Sequence, residues 1–179
     1  MTPTILTRSG HYFNLLEPHT SRFSLADIAH ALAHICRYTG HTRRFYSVAQ
    51  HSVHVSYLVP PEHALAGLLH DAAEAFIGDV STPLKHLLPD YKVIEQRIEA
   101  AIFARFGLPA TLPPCVKQAD LVMLATERRD LMPANGDQWA ILKDIEPRRK
   151  PGTPLTSEQA YEALRDRYSE LTGKVWVCA

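Results

Sequence analysis

The chain has 179 residues, 46% hydrophobic and 21% charged, with 19 basic against 19 acidic side chains. That length supports one domain with a sizeable core. The electroneutral balance argues against a nucleic-acid coat or a polybasic membrane anchor, and leaves room for a local basic pocket that holds a small anion. Cys36, Cys115 and Cys178 are an odd number without CxxC spacing, which disfavours a disulfide framework or a cysteine zinc site and points to a reducing, cytoplasmic setting. The opening MTPTILTRSGHYF has no basic segment followed by an apolar run, so no signal peptide is expected. No apolar stretch approaches the ~18 residues of a membrane span. Ten histidines fit metal chemistry only weakly.

Residues 1–23 read as irregular, either a short hairpin around Ser9-Gly10 or a plain cap on the domain. Ser24 is placed to N-cap a first helix with Asp27 in its first turn. Ile28, Leu32, Ile35 and Cys36 form its apolar stripe, and Gly40 ends it. His30 and His34 lie off that stripe, on a solvent or subunit-contact face rather than as a chelating pair. A second helix, about 43–59, stops at Pro60-Pro61 and puts His51 on one face with Val48, Val55 and Leu58. A third, about 61–77, has proline in its first turn and packs Ala64, Leu65, Leu68, Ala72 and Phe76 inward. His70 and Glu74 share a face of it, with Asp71 adjacent. Gly78-Asp79 and Pro83 open a loop. Asp90 caps a fourth helix with the stripe Val93, Ile94, Ile98, Ile102 and Phe106, closed by Gly107.

A fifth helix, about 114–131, carries Asp120 on the face of Val116, Met123 and Leu124, and its charged string ERRD, 127–130, reads as a solvated face or subunit contact. Residues 133–155 are the longest irregular stretch, a lid, an oligomer contact or a loose loop. Thr156 and Gln159 suggest a capping box for a last helix, about 157–172, ending at Gly173. With no run of alternating strands, the fold class is all-α, a single-domain globular helical bundle.

Asp71 and Asp120 are carboxylates on core-facing helix surfaces, and burying them costs several kcal/mol unless a partner compensates. Two such carboxylates and the core-facing His51 and His70, on three helices, share one economical solution: a mononuclear metal site of His51, His70, Asp71 and Asp120. The mixed nitrogen and oxygen set suits one divalent transition metal, Zn, Co or Mn with Fe also allowed, better than Ca or Mg. Bound water would ionise near neutrality, and a bound phosphoryl oxygen would become a better electrophile. Glu74 is placed to orient the attacking water or move its proton. Asp79 is open to three roles: binding a second cation, protonating a leaving oxygen, or holding a sugar hydroxyl.

The strings AQHS around His51, HDAAEAFIGDVSTPLK from His70 to Lys85, and KQAD ending at Asp120 resemble the HD-domain metal-dependent phosphohydrolases. The likeness is to the branch of bacterial 5′-deoxynucleotidases and phage dATP triphosphohydrolases, and it spans about residues 24–131, leaving 132–179 as a C-terminal loop and helix. The resemblance implies the same four metal ligands and catalytic acidic roles for Glu74 and Asp79. It implies Arg37 on phosphate and Tyr38 on the base, where the family usually has Trp, and Pro83 and Lys85 in a loop that closes on the nucleotide, Lys85 on phosphate. Arg43 and Arg44 are alternative phosphate binders. Gly40 stands where some relatives carry a bulky residue against adenine.

The expected activity is hydrolysis of the 5′ phosphoester of deoxynucleotides, mono- or triphosphates, with deoxyadenosine forms favoured. The expected partners are the nucleotide and further copies of the chain, a dimer or larger homo-oligomer, with no nucleic-acid polymer and no membrane. One alternative is a regulatory module that binds a nucleotide without turnover. The other is a signalling-nucleotide phosphodiesterase, disfavoured because only His86 lies between the His-Asp pair and Asp120 to serve a second metal.

Overall fold

The computed structural model describes residues 2–149 and 153–174; Cys178 and positions 150–152 of the long irregular stretch lie outside them. The protein is mostly helical, as the sequence led us to expect, with one two-stranded sheet among the described residues. Strands β1 (Thr4–Leu6) and β2 (Tyr12–Asn14) pair antiparallel with Ile5 opposite Phe13. Their turn closes at Gly10, whose φ of +78° belongs to the left-handed region that glycine enters freely. The hairpin is not a loose cap, because Phe13 stacks on Phe76 at 3.7 Å between ring centroids.

Helix α1 (Leu25–His34) begins with the expected capping box: the Ser24 hydroxyl accepts from the Asp27 backbone N–H, and the Asp27 carboxylate accepts from that of Ser24. Ser9 also donates to Asp27, from its N–H at 2.9 Å and its hydroxyl at 3.1 Å, so one buried carboxylate fastens the hairpin to the helix. Burial alone would raise the Asp27 pKa, but the donors from Ser24 and Ser9 outweigh it and hold the carboxyl low.

The first helix does not reach Gly40. It stops at His34, and Ile35 turns extended. The chain then pairs with its own return: Arg37 N–H donates to the Tyr46 carbonyl at 2.9 Å and Val48 N–H to that of Ile35 at 3.0 Å. Between these rungs lies a tight turn, 37–40, in which Tyr38 (φ 55°) and Thr39 (φ 53°) are both left-handed. The second helix is also shorter than its periodicity suggested. Helix α2 (Val48–Ser56) starts only after Ser47, whose side chain caps it, because Tyr46 and Ser47 are taken up by the return pairing.

The third helix is segmented. A 3-10 turn at Pro61–His63 leads into α3 (Ala64–Leu69), and α4 (Glu74–Ile77) follows. The link between them keeps helical dihedrals at His70 and Ala73 but tightens to three-residue hydrogen bonds, Ala72 to Leu69 and Glu74 to Asp71. Helices α2 and α3 approach closely at Gly67, where a Cβ would sit 3.1 Å from the Ser56 Cα.

Helix α5 (Thr82–Lys85) precedes α6 (Tyr91–Phe106), which ends at a left-handed Gly107 as expected. Two details of α6 differ. Asp90 occupies the N-cap position without a side-chain hydrogen bond. Val93 is exposed, while Ile98, Ile102 and Phe103 face the core. Helices α7 (Pro114–Leu131) and α8 (Ser157–Thr172) have the predicted bounds, the latter with its Thr156–Gln159 capping box and left-handed Gly173. Helix α8 packs against α1, α2 and α3 and sends Ala160, Leu164 and Tyr168 into the core. No helix among the described residues is long and apolar enough to cross a membrane.

The irregular stretch before α8 is strapped across α2 and α7. Gln50 donates to the Thr153 carbonyl at 2.7 Å and accepts from the Leu155 N–H at 2.9 Å. Arg148 donates to His54 Nδ1 at 3.2 Å. Burial, then the charges of Arg148 and His51, push the His54 pKa down to about 4. Unfolded chains take up a proton at an ordinary histidine pKa of ~6.5, so between these values the unfolded state binds more protons and stability falls as pH falls. Urea titrations should show the wild type losing about 2 kcal/mol more than His54→Gln between pH 7 and pH 5. Equal losses in the two proteins would remove His54 as the cause.

Candidate metal centre

The site is built where α2, the α3–α4 link and α7 meet. His51, fully buried on α2, directs Nε2 at His70 Nε2 (3.3 Å), Asp120 Oδ1 (3.3 Å) and Asp71 Oδ2 (3.6 Å). His70 Nε2 is in turn 3.2 Å from Asp71 Oδ2. Among the described residues, His51, His70 and Asp120 each offer one donor atom, all within 4.8 Å of one another. The four residues proposed from the sequence as ligands thus lie side by side.

The opposite ring nitrogens decide the chemistry. His51 Nδ1 lies 2.6 Å from Glu127 Oε1, and His70 Nδ1 lies 2.9 Å from the Gly67 carbonyl. A carboxylate and a carbonyl only accept, so both Nδ1 atoms carry hydrogen and donate. In neutral imidazoles that leaves both Nε2 atoms as lone pairs, facing each other and two carboxylates. Four acceptors converging without a proton call for a cation. Burial and Arg37 oppose charge on His51, yet Glu127 and Asp120 overcome them and push its pKa up to about 9. Burial would raise the Asp71 and Asp120 carboxyls, but the neighbouring histidines, with Arg37 acting on Asp71, hold both well below the usual range. The donor set fits a divalent transition metal.

Glu74, buried at the start of α4, keeps Oε2 without a hydrogen-bond partner among the described residues. Burial and the charges of Asp71 and Asp79 drive its pKa well above the ordinary carboxyl value, despite Arg37 and Lys85. Asp79, in the loop after α4, is also raised, by burial and by Asp71, with Arg37 opposing.

Arg37 and Tyr38 do not sit at a helix end, as the sequence suggested, but in the left-handed turn. The turn aims the buried Arg37 guanidinium inward. Its Nη1 is 3.7 Å from Asp71 Oδ2 and 3.6 Å from Asp79 Oδ2, and its Nη2 is 3.5 Å from Glu127 Oε2. The Tyr38 hydroxyl donates to Glu127 Oε2 at 3.1 Å, and its ring lies 6.2 Å from that of Trp139. Arg128 covers the Trp139 ring at 5.0 Å.

Lys85 is half-buried and bonded to Glu95 Oε1 at 2.6 Å. Pro83 is exposed in the first turn of α5, and Arg43 and Arg44 are exposed as well.

The string ERRD is not a solvated face throughout. Arg129 is exposed, but Glu127 is 2% exposed and contacts His51, Arg37 and Tyr38. The reading from the sequence missed it. The available signal was its spacing: seven residues after Asp120 is two helical turns, which returns to the same face.

This helical frame with its converging histidines and aspartate is of the HD-domain class. More particularly, the chain belongs to the 5′-deoxynucleotidase YfbR-like family, whose sequence model matches residues 6–132. It is similar to the uncharacterized protein YfdR of Escherichia coli, 44% identical over 174 residues that cover 94% of this chain and 95% of that protein. An uncharacterized protein of Rhodobacter capsulatus is 40% identical over 121 residues, 62% of each chain.

Proposed function

We propose that the protein is a metal-dependent hydrolase that breaks the P–O5′ bond of deoxynucleotides, releasing a deoxynucleoside with phosphate or triphosphate. The carrying observation is the convergence of the two lone-pair Nε2 atoms and the Asp71 and Asp120 carboxylates, in the same helical unit as Glu74, whose buried oxygen has no hydrogen-bond partner among the described residues. The family's description supports the substrate class. His51, His70, Asp71 and Asp120 hold the cation, which when bound supplies Lewis acidity toward a phosphoryl oxygen.

The remaining roles fall to the chain's own groups. Glu74, a carboxylate of raised basicity, takes a proton from the attacking water as its oxygen bonds to phosphorus. Asp79, also raised, returns a proton to the departing O5′. Arg37 exchanges part of its contact with Asp71 and Asp79 for phosphate oxygens. Tyr38 offers its ring to the base. Lys85 leaves Glu95 for the phosphates, with Pro83 shaping its loop. Deoxyadenosine forms are the first substrates to try, and the homo-oligomer expected with this family is open to sedimentation.

The test is a panel of deoxynucleoside mono- and triphosphates with matched ribonucleotides, each incubated with chelator-stripped protein reloaded with Mn, Co or Zn. Release of a deoxynucleoside from at least one is the expected result. Binding without release from any would leave a regulatory module instead. Within the active reading, Lys85→Ala should raise KM several-fold, more for triphosphates than for monophosphates. An unchanged KM for both would place Lys85 off the phosphates.

A further inference from the structure

We propose that Glu127 is a positioning residue that couples the metal ligand His51 to the substrate-facing pair Arg37 and Tyr38. The carboxylate divides its two oxygens. Oε1 takes His51 Nδ1 at 2.6 Å, while Oε2 takes the Tyr38 hydroxyl at 3.1 Å and faces Arg37 Nη2 at 3.5 Å. Glu127 stands two turns beyond Asp120 on one face of α7, and the two carboxylates meet opposite nitrogens of the same imidazole, Asp120 Oδ1 lying 3.3 Å from Nε2. A single rigid helix therefore sets both the tautomer and the tilt of the His51 ring.

The same carboxylate restrains the left-handed turn at residues 37–40, because the Tyr38 hydroxyl has its anchor there. Two consecutive non-glycine residues in that conformation are costly and persist only where surroundings over-determine them. The Tyr38 hydrogen bond and the Arg37 ion pair, together with the Tyr46–Arg37 backbone rung, are such surroundings. Metal ligation and the pair proposed to face the nucleotide are thereby joined through one side chain that meets His51 at Nδ1, not at the Nε2 turned to the other donors.

Glutamine at 127 keeps the shape but cannot serve both sides. If its carbonyl oxygen accepts from His51, the amide faces Tyr38, whose hydroxyl can accept, and Arg37, which cannot; if the oxygen faces Arg37 and Tyr38, the amide points a donor at the His51 Nδ1–H. The test reads metal affinity alone, by calorimetric titration of metal-free protein with Zn or Mn, so it does not depend on turnover. Loss of an outer partner of a ligating histidine typically weakens metal binding by about 10–100-fold, and Glu127→Gln should fall in that range while melting as a folded protein. Tyr38→Phe, which removes only the hydroxyl bonded to Glu127, should shift the metal Kd several-fold in the wild-type background and by less than about twofold once Glu127 is glutamine, because coupled residues are not additive.

A folded Glu127→Gln with wild-type metal affinity overturns the proposal, as does a Tyr38→Phe effect of equal size in both backgrounds. Should Glu127→Gln not fold, Tyr38→Phe alone decides: an unchanged metal Kd overturns the coupling and a several-fold shift supports it. The inference rests on His51 being a metal ligand. Failure of that premise would appear differently, as absence of metal binding by the wild type itself.

Discussion

Glu74→Gln is expected to lower kcat by roughly 100-fold or more, the scale of a lost general base, with bound metal unchanged and the folded protein at least as stable as the wild type. The side chain is buried, has no partner at Oε2 among the described residues and sits in the field of Asp71 and Asp79. Its carboxyl pKa is raised in the folded protein, so the group favours folding only at pH below its unfolded value, and that contribution is lost as pH rises through the folded value. Ionising the carboxyl in the folded protein therefore carries a cost. Glutamine keeps the volume and removes the charge, so activity should fall while Tm holds or rises, the signature of a residue retained for function rather than stability. Steady-state kinetics, metal content by mass spectrometry and a thermal melt on one preparation check all three. A full rate in the folded variant would remove Glu74 from the chemistry, and a sharp fall in Tm would mark it as a structural carboxylate.

Asp120→Ala should strip the metal and the activity together. Asp120 Oδ1 lies 3.3 Å from His51 Nε2, and Oδ2 takes Lys117 Nζ at 2.8 Å on the solvent side. Without the carboxylate, two imidazole lone pairs and Asp71 remain, one donor fewer and one negative charge fewer against a dication. Metal affinity should fall by more than the ~100-fold that outer-partner losses reach, with a parallel loss in kcat/KM. Lys117→Ala is the control: its amine is exposed, so its ion pair with Asp120 is of the kind worth little, and both metal content and rate should stay near wild type. Retention of stoichiometric metal by Asp120→Ala would mean that the cation sits elsewhere.

Legibility in the sequence followed locality. Helices α7 and α8 were readable to the residue because proline at Pro113-Pro114, a capping box at Thr156–Gln159 and glycine at Gly173 mark their ends within a few positions. Helix α1 was over-extended because nothing local stops it at His34. What stops it is the pairing of 35–37 with 46–48, a contact made by the returning chain. Gly40 does adopt a left-handed φ of 80°, but it closes the tight turn rather than the helix.

The clustering of His51, His70, Asp71 and Asp120 was legible because two carboxylates and two histidines on core-facing helix surfaces stand out against apolar stripes. Glu127 was not, because it lies in a charged string whose neighbour Arg129 is exposed, and its partners Tyr38 and His51 are 89 and 76 residues away. The strap was equally opaque, since Gln50 meets Thr153 across 103 positions.

The packing of α8 against α2 bears on how the protein comes into being. The family match ends at residue 132, yet the helix that carries His51 is covered by Ala160, Leu164 and Tyr168 and gripped through Gln50 by residues 153–155. During synthesis, at roughly 5–20 residues per second, every group of the metal centre leaves the ribosome before the segment that shields its back does. For those few seconds α2 has an uncovered apolar flank, which α8 closes only once it has been made. The stretch that the family model matches is therefore shorter than the unit that packs together.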